Sequence, residues 1–182
     1  MKVIGVVGLP ASGKGEFSRI ARDLGIPVVV MGDVIRRAVS EAGLPETDEN
    51  MGRTASNLRL TGGMDAIARL SIPAIEAQIS QVVVVDGIRG DAEVELFRTC
   101  FPRFFLVGIE SGFDLRLERL VRRGRSDATC SREELLERDR REMGWGLGKA
   151  LERADYLVSN DCSLPEFEKT VKGLLLTLGS AT

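Results

Sequence analysis

The sequence predicts a three-layer α/β domain built on a five-stranded parallel sheet, and three observations carry that expectation. Short β-branched runs alternate with longer stretches of helical period, the order in which each strand is followed by a helix that covers the sheet. All but the last of the strand candidates are nearly continuous apolar runs, as befits parallel strands covered on both faces. A glycine-rich turn joins the first strand directly to the first helix, and ligands of such sheets bind beyond the carboxyl ends of the strands. The 182 residues suit one domain, read over 1–182, with enough chain to bury a core without disulfide or metal.

In chain order, Val3–Val7 forms the first strand, and the helix over Gly13–Leu24 stops at Gly25, a suitable C-cap. Val28–Met31 is the second strand, with a helix over Asp33–Ala42 ending at Gly43. Residues 44–62 are polar and turn-rich and read as a mobile flap. The helix over Gly63–Gln81 contains Pro73, which should kink or split it. Val82–Asp86 is the third strand and Asp91–Cys100 its helix. Arg103–Ile109 is the fourth strand, followed by a helix over Gly112–Arg123 that ends at Gly124. Residues 122–148 read as a second flap, with dense arginines and the run Gly144-Trp145-Gly146-Leu147-Gly148. Within it, Ser131–Met143 opens on a capping box of Ser131 and Glu134. Tyr156–Ser159 completes the sheet, and Ser163–Leu178 closes the chain with Pro165 in its first turn.

Composition narrows the chemistry. There is no histidine, which excludes histidine triads and histidine-containing metal sites. Cys100, Cys130 and Cys162 are widely spaced without a CxxC pair, so neither a disulfide framework nor zinc is indicated and a reducing cytosol is expected. No apolar run approaches the roughly 18 residues of a membrane span. A net charge of −2 argues against bulk nucleic-acid binding. The basic residues are lopsided, five lysines against twenty arginines, and guanidinium forks match phosphate and carboxylate oxygens.

The segment Gly8, Leu9, Pro10, Ala11, Ser12, Gly13, Lys14, Gly15 fits G-x-x-x-x-G-K at a strand-to-helix turn. Its glycines let backbone N–H groups wrap around phosphates, the helix N-terminus adds favourable partial charge, and Lys14 reaches the β- and γ-phosphates. This is the strongest functional signal in the chain. The Ser or Thr that usually follows the lysine and binds Mg²⁺ is absent; Gly15 and Glu16 stand there, and Ser18, nearly a turn further on, should point elsewhere. Mg²⁺ is therefore expected to be held through water, by Asp86 at the end of the apolar third strand, or by Glu16.

Lys14 followed by Gly15 resembles the phosphate loop of adenylate kinases and their nucleoside monophosphate kinase relatives. Met31-Gly32-Asp33-Val34-Ile35-Arg36 resembles that family's T-G-D-M-L-R segment, whose arginine grips the acceptor's phosphate. Val85-Asp86-Gly87-Ile88-Arg89 is similar to its D-G-F-P-R, one residue shorter and without the proline. Glu118-Arg119-Leu120-Val121-Arg122-Arg123 looks like the start of its lid, and Arg138-Asp139 like the pair where the lid closes. The whole chain resembles an archaeal family described as adenylate-kinase-related or dephospho-CoA-kinase-like, through its Gly-Lys-Gly-Glu loop, Thr47-Asp48-Glu49-Asn50, Asp86-Gly87-Ile88-Arg89-Gly90 and Arg123-Gly124-Arg125-Ser126-Asp127. The resemblance implies a P-loop NTPase fold with an acceptor-binding insertion at about 32–72 and a short arginine-rich lid at about 119–148.

Phosphoryl transfer is catalysed mainly by positioning and electrostatics, which a chain without histidine can supply. Lys14, Arg89, Arg119, Arg123 and Arg138 are the catalytic candidates, and Arg119 and Arg123 share a helix face. Arg125 is a further donor-side candidate, and Arg138 and Arg141, three apart, could point back from the next helix. Asp33, Arg36 and Arg89 are the acceptor-side candidates; an N-cap role competes for Asp33, and Arg59 is a further residue expected to face the acceptor. Trp145 fits a packing anchor better than a base-stacking platform. The expected activity is transfer of the γ-phosphoryl group of ATP, with Mg²⁺, to a small nucleotide or nucleotide-like acceptor. A dephospho-CoA-type kinase with a base at Asp33 or Asp86, a regulatory ATP-binding module, and an RNA-linked protein are the alternatives.

Overall fold

The computed structural model describes residues 1–122 and 131–180. Strands β1 (Lys2–Val7), β2 (Val28–Val30), β3 (Val82–Ile88), β4 (Phe104–Glu110) and β5 (Tyr156–Ser159) form one five-stranded sheet in the order β2-β3-β1-β4-β5. Every pairing is parallel. The helices are α1 (Lys14–Asp23), α2 (Gly32–Glu41), α3 (Asp48–Gly62), α4 (Ala66–Glu76), α5 (Asp91–Cys100), α6 (Phe113–Arg122), α7 (Arg132–Gly144), α8 (Leu147–Glu152) and α9 (Leu164–Ser180). None of the described helices is long and apolar enough to cross a membrane.

Alternate residues of one strand point to opposite faces, and two cores result. Val3, Val83, Val85 and Leu106 pack with Ile67 and Ile75 of α4, Val94 and Phe97 of α5, and Leu147 of α8. Ile4, Val6, Val84, Val107 and Val158 pack with Phe17 and Ile20 of α1 and with Phe167 and Val171 of α9. Both faces are covered, which is why the central strands read as unbroken apolar runs. The order places β1 between β3 and β4, and β3 between β2 and β1, so the carboxyl ends of β1 and β3 lie side by side at the centre. Val6 pairs with Asp86 and Asp86 in turn with Val30. The β1–β3 register then slips by one residue at Gly87, whose φ of 104° suits glycine.

The expected strands are all present, with β3 running on to Ile88. Three expectations about the connections are corrected. Residues 44–62 are not a turn-rich flap: α3 occupies most of the segment, capped by Thr47, whose hydroxyl accepts the Asn50 N–H at 3.2 Å. Its buried face is Gly52, Ala55 and Arg59, at helical spacing but without large apolar side chains, so hydrophobic periodicity does not reveal it. Pro73 does not split α4; the helix continues through it, with Ile67, Ala68, Ser71 and Ile75 buried on either side of the missing N–H. Gly146 and Leu147 are not part of a loose flap either, because α8 begins there and buries Leu147 and Ala150. The capping box of Ser131 and Glu134 forms as expected, with Glu134 N–H on the Ser131 hydroxyl at 3.1 Å and Ser131 N–H on the Glu134 carboxylate at 2.7 Å.

Gly5 marks the tightest point of the central strand. A Cβ there would lie 2.5 Å from Ile88 Cδ1 and 2.6 Å from the Phe104 ring. Gly5→Val is expected to destabilise the fold by about 1–3 kcal/mol through overpacking. A urea titration should show a lower midpoint with the same slope, and an unchanged midpoint would mean that Ile88 and Phe104 can repack around the larger side chain.

Candidate active site

The loop between β1 and α1 is held in shape from beneath. Ala11 sits at φ 58° and Gly13 at φ 121°, so two peptides of the turn adopt positive φ. Glycine accepts this freely, whereas at Ala11 the left-handed conformation costs about 1–2 kcal/mol. Asn160, at the end of β5, donates its buried side-chain amide to the Ser12 carbonyl at 2.7 Å. It lies so close that a Cβ on Gly13 would meet its Nδ2 at 2.2 Å. Arg116, 3% exposed, donates to the Pro10 carbonyl at 3.1 Å and grips Asp139 of α7 with both terminal nitrogens, at 2.9 and 2.7 Å. The loop, α6, α7 and the end of β5 are thereby fastened together.

Above the loop lies a cavity of about 580 Å³, bounded by Pro10, Ala11, Gly13, Lys14 and Gly15, by the ends of β2 and β3, and by faces of α2, α3 and α7. Its walls carry Lys14, Arg36, Arg59, Arg89, Arg138 and Arg141 with the carboxylates of Glu46, Asp48, Asp86 and Glu142. Lys14 is buried, not exposed as expected of a loop lysine, and its Nζ donates to the carbonyls of Gly8 at 2.6 Å and Leu9 at 2.8 Å. Burial lowers its pKa to about 7; Arg89 and Arg138 push the same way, against Glu142 and Asp86. Asp86 accepts the Ser18 hydroxyl at 2.7 Å. Ser18 therefore faces the site, because it stands four residues after Lys14 on the same side of α1, and the expectation that it points elsewhere is corrected.

Of the residues expected to form a site, Pro10, Ala11, Gly13, Lys14, Gly15, Arg36, Asp86, Arg89 and Arg138 border the one cavity. Gly8, Leu9 and Ser12 shape the loop behind it. Glu16 does not join them: its carboxylate pairs with Arg19 on the outer side of α1, and Arg19 also engages Asp23 and Glu168. Asp33 is ion-paired with Arg36 and does not border the cavity. Arg119 is tied down beside the loop, donating to the Ser111 hydroxyl at 3.0 Å and the Asn160 carbonyl at 2.6 Å. Arg123 and Arg125 lie outside the described residues.

Several members of the site escaped the sequence. Glu93 is fully buried, pairs with Arg59 at 2.7 Å, and accepts the N–H groups of Arg89 at 2.6 Å and Gly90 at 3.2 Å. Burial raises its pKa, against the pull of Arg59. Glu142, 4% exposed, faces Arg89 Nε at 3.1 Å, and Arg138 pairs with Asp48 at 2.7 Å. The Trp145 ring is overlain by Arg59 at 4.3 Å from its centroid, so it serves as a packing anchor for a charge. Only the Arg138–Asp139 and Arg141 spacing hinted at this cluster; the partners of the other charges are 23 or more residues away in sequence.

Comparison with known proteins places this geometry. A family model described as AAA domain matches residues 7–136. A UPF0200 protein of the archaeon Methanoculleus marisnigri is 63% identical over 98% of both chains. Among solved structures, TT1252 from Thermus thermophilus superposes with a TM-score of 0.69 at 20% identity, covering 97% of each chain. Shikimate kinase from Acinetobacter baumannii, in complex with shikimate, gives 0.61 at 15% identity, covering all of this chain and 96% of the other. The fold is that of P-loop kinases.

The Arg116–Asp139 pair is the clasp most exposed to test. Arg116→Leu leaves Asp139 without its counter-charge and frees the Pro10 carbonyl, with an expected loss of about 3–5 kcal/mol. The double variant Arg116→Leu with Asp139→Leu should recover most of that loss in a denaturant titration. Equal instability of single and double variants would show that the apolar replacement, not the broken pair, is what the fold cannot accept.

Proposed function

We propose, from the premise that the chain belongs to the AAA domain family and groups with archaeal UPF0200 proteins, that it binds ATP with Mg²⁺ in the cytosol and transfers the γ-phosphoryl group to a small nucleotide or nucleotide-like acceptor. One observation carries this reading. Around the cavity, Arg59 Nε, Arg89 Nη1, Arg138 Nε and Arg141 Nε are buried without a protein hydrogen-bond partner. Such donors are costly unless an anion meets them, and phosphate oxygens are the acceptors that guanidinium groups fit.

On this reading the loop amides from Gly8 to Gly15 and Lys14 hold the donor phosphates. Arg89 and Arg138, the arginines whose charges bear on Lys14, lie against the transferred group. Arg36 and the segment at about 32–72 form the acceptor wall, and α7 borders the site from the other side through Arg138 and Arg141. Asp86 suits Mg²⁺: it is an oxygen donor at the end of β3 on the cavity wall. Among the described residues no group of three acidic or thiol side chains forms a metal cage, and Mg²⁺ prefers one or two carboxylates with phosphates and water. When bound, the ion would neutralise charge on the phosphates.

An alcohol acceptor would need a base. Asp33 does not border the cavity, Asp86 is engaged by Ser18, and the other carboxylates of the wall face arginines, Glu46 toward Arg36 at 3.8 Å, Asp48 toward Arg138 and Glu142 toward Arg89, so an acceptor that is already ionised fits better. The test is incubation with ATP and Mg²⁺ against nucleoside monophosphates and dephospho-CoA, with product mass as readout. ADP formation that depends on one acceptor is expected; ADP release indifferent to every acceptor would turn the reading toward a nucleotide-hydrolysing module.

Lys14 gives a second prediction. With its pKa held at about 7, below the ordinary 10.5, the empty site carries a largely neutral lysine at pH 8. Phosphates beside it favour the charged form, so ATP binding should take up close to one proton at pH 8 and very few at pH 6. Calorimetry in buffers of different ionisation enthalpy measures this directly, and Lys14→Met should abolish the uptake. Uptake that is flat between the two pH values would place the phosphates away from Lys14.

A further inference from the structure

Six cations border the cavity, and the protein already answers five of them. Lys14 donates to loop carbonyls, Arg36 pairs with Asp33, Arg59 with Glu93, Arg89 with Glu142, and Arg138 with Asp48. Arg141 differs. Among the described residues it forms no hydrogen bond or ion pair, and its Nε is buried without a partner. Its guanidinium lies 5.8 Å from the Trp145 ring centroid on one side and against Gly52 of α3 on the other.

That position is built into the helix. A Cβ on Gly52 would stand 2.8 Å from Arg141 Cζ and Nη1, so the guanidinium can lie against α3 only where that helix lacks a side chain. Gly52 is buried in the interior of a 15-residue helix, where glycine is the least favourable residue after proline. The helix accepts an unfavourable residue at the point where it faces an uncompensated charge.

We infer that Arg141 seats the acceptor's own anionic group, a phosphomonoester, and that Gly52 makes the room for it. The inference rests on the phosphotransferase reading and deepens it by naming the class of acceptor. Arg141 touches α3, in the segment between β2 and β3, whereas Arg89 and Arg138 are the arginines whose charge reaches Lys14. Arg36, Arg59 and Arg141 stand together on this wall, and Arg59 and Arg141 each keep an unpartnered Nε, a set of donors larger than the two oxygens and single charge of a carboxylate would meet. A phosphomonoester brings three terminal oxygens and a charge near −2. The reaction then joins phosphate to phosphate. An acceptor oxygen forms the new bond to the γ-phosphorus, the bond from that phosphorus to the β–γ bridging oxygen breaks, and ADP leaves with its electron pair. A dianionic acceptor has no proton to lose, so the step needs neither a base nor a further reactant.

Calorimetry on the full chain tests this with AMP, CMP, GMP and UMP, each against its parent nucleoside, and with ATP. Wild type should bind at least one monophosphate about tenfold or more tighter than its nucleoside, the contribution of a charge-assisted contact. Arg141→Ala should lose about that factor for the monophosphate and change ATP affinity by less than about twofold. Gly52→Ala should reproduce the acceptor defect while its thermal midpoint holds or rises, since alanine favours the helix. Monophosphate binding unchanged in Arg141→Ala overturns the inference, as does an equal loss for ATP, and either leaves the phosphotransferase reading standing. A wild-type protein that binds no monophosphate better than its nucleoside overturns the nucleotide-acceptor reading, and this inference with it.

Discussion

Gathering guanidinium groups around one cavity is costly unless each meets an anion, and much of the molecule is arranged to satisfy that constraint. Glu93, Glu142 and Asp139 are the buried or nearly buried carboxylates, and each ties an arginine to a different element of the fold. Glu93 has the widest reach. It holds Arg59 of α3 and the backbone that carries Arg89, so one carboxylate fixes two arginines from opposite walls. A buried ion pair adds little net stability, because desolvation offsets most of the attraction. What these pairs fix is position: each cation is already placed before a ligand arrives, which spares the ligand the ordering cost.

Helix α7 turns this arrangement into a connection between the two ends of the site. Arg138, Arg141 and Glu142 are three and four residues apart and share the face toward the cavity. Asp139 lies off that face and reaches Arg116, which holds the Pro10 carbonyl of the loop. The same helix thus contacts the loop from one side and α3 from the other, through Asp48 and Gly52. A helix displaced along its axis would disturb both at once.

The sequence made the scaffold legible because its signals are local. Continuous valine runs mark buried parallel strands, and Gly8 to Lys14 is a motif with its own mechanism. Helix α3 was hidden because its buried face is Gly52, Ala55 and Arg59, a pattern that hydrophobic periodicity does not register; Thr47 followed by Asn50 was the signal that could have found it. Glu16 misled for the opposite reason. It sits in the motif, but Arg19 three residues on draws its carboxylate outward. Glu93, Arg116 and Glu142 read as ordinary surface charges, since what buries them is a partner 34, 23 or 53 residues away, set by topology rather than by spacing.

A shared fold fixes less of the site than the match to P-loop kinase structures implies. What the sheet dictates is one end of the site: the ends of β1 and β3 lie side by side, Val6 beside Asp86, with the loop that follows β1 next to them. The opposite wall answers to weaker constraints. Helices α2, α3 and α4 hang between β3 and a β2 of only three residues at the sheet edge. Helix α4 packs Ile67 and Ile75 in the core, whereas the buried residues of α2 and α3 are Val39, Gly52, Ala55 and Arg59, so the faces of α2 and α3 can change with less disturbance to the core. In this chain those faces carry Arg36, Gly52 and Arg59, with the carboxylates of Glu46 and Asp48 turned toward Arg36 and Arg138. A shikimate kinase and this protein can therefore share a sheet and differ in the wall that faces its carboxyl ends, which here is built from α2, α3 and the facing side of α7.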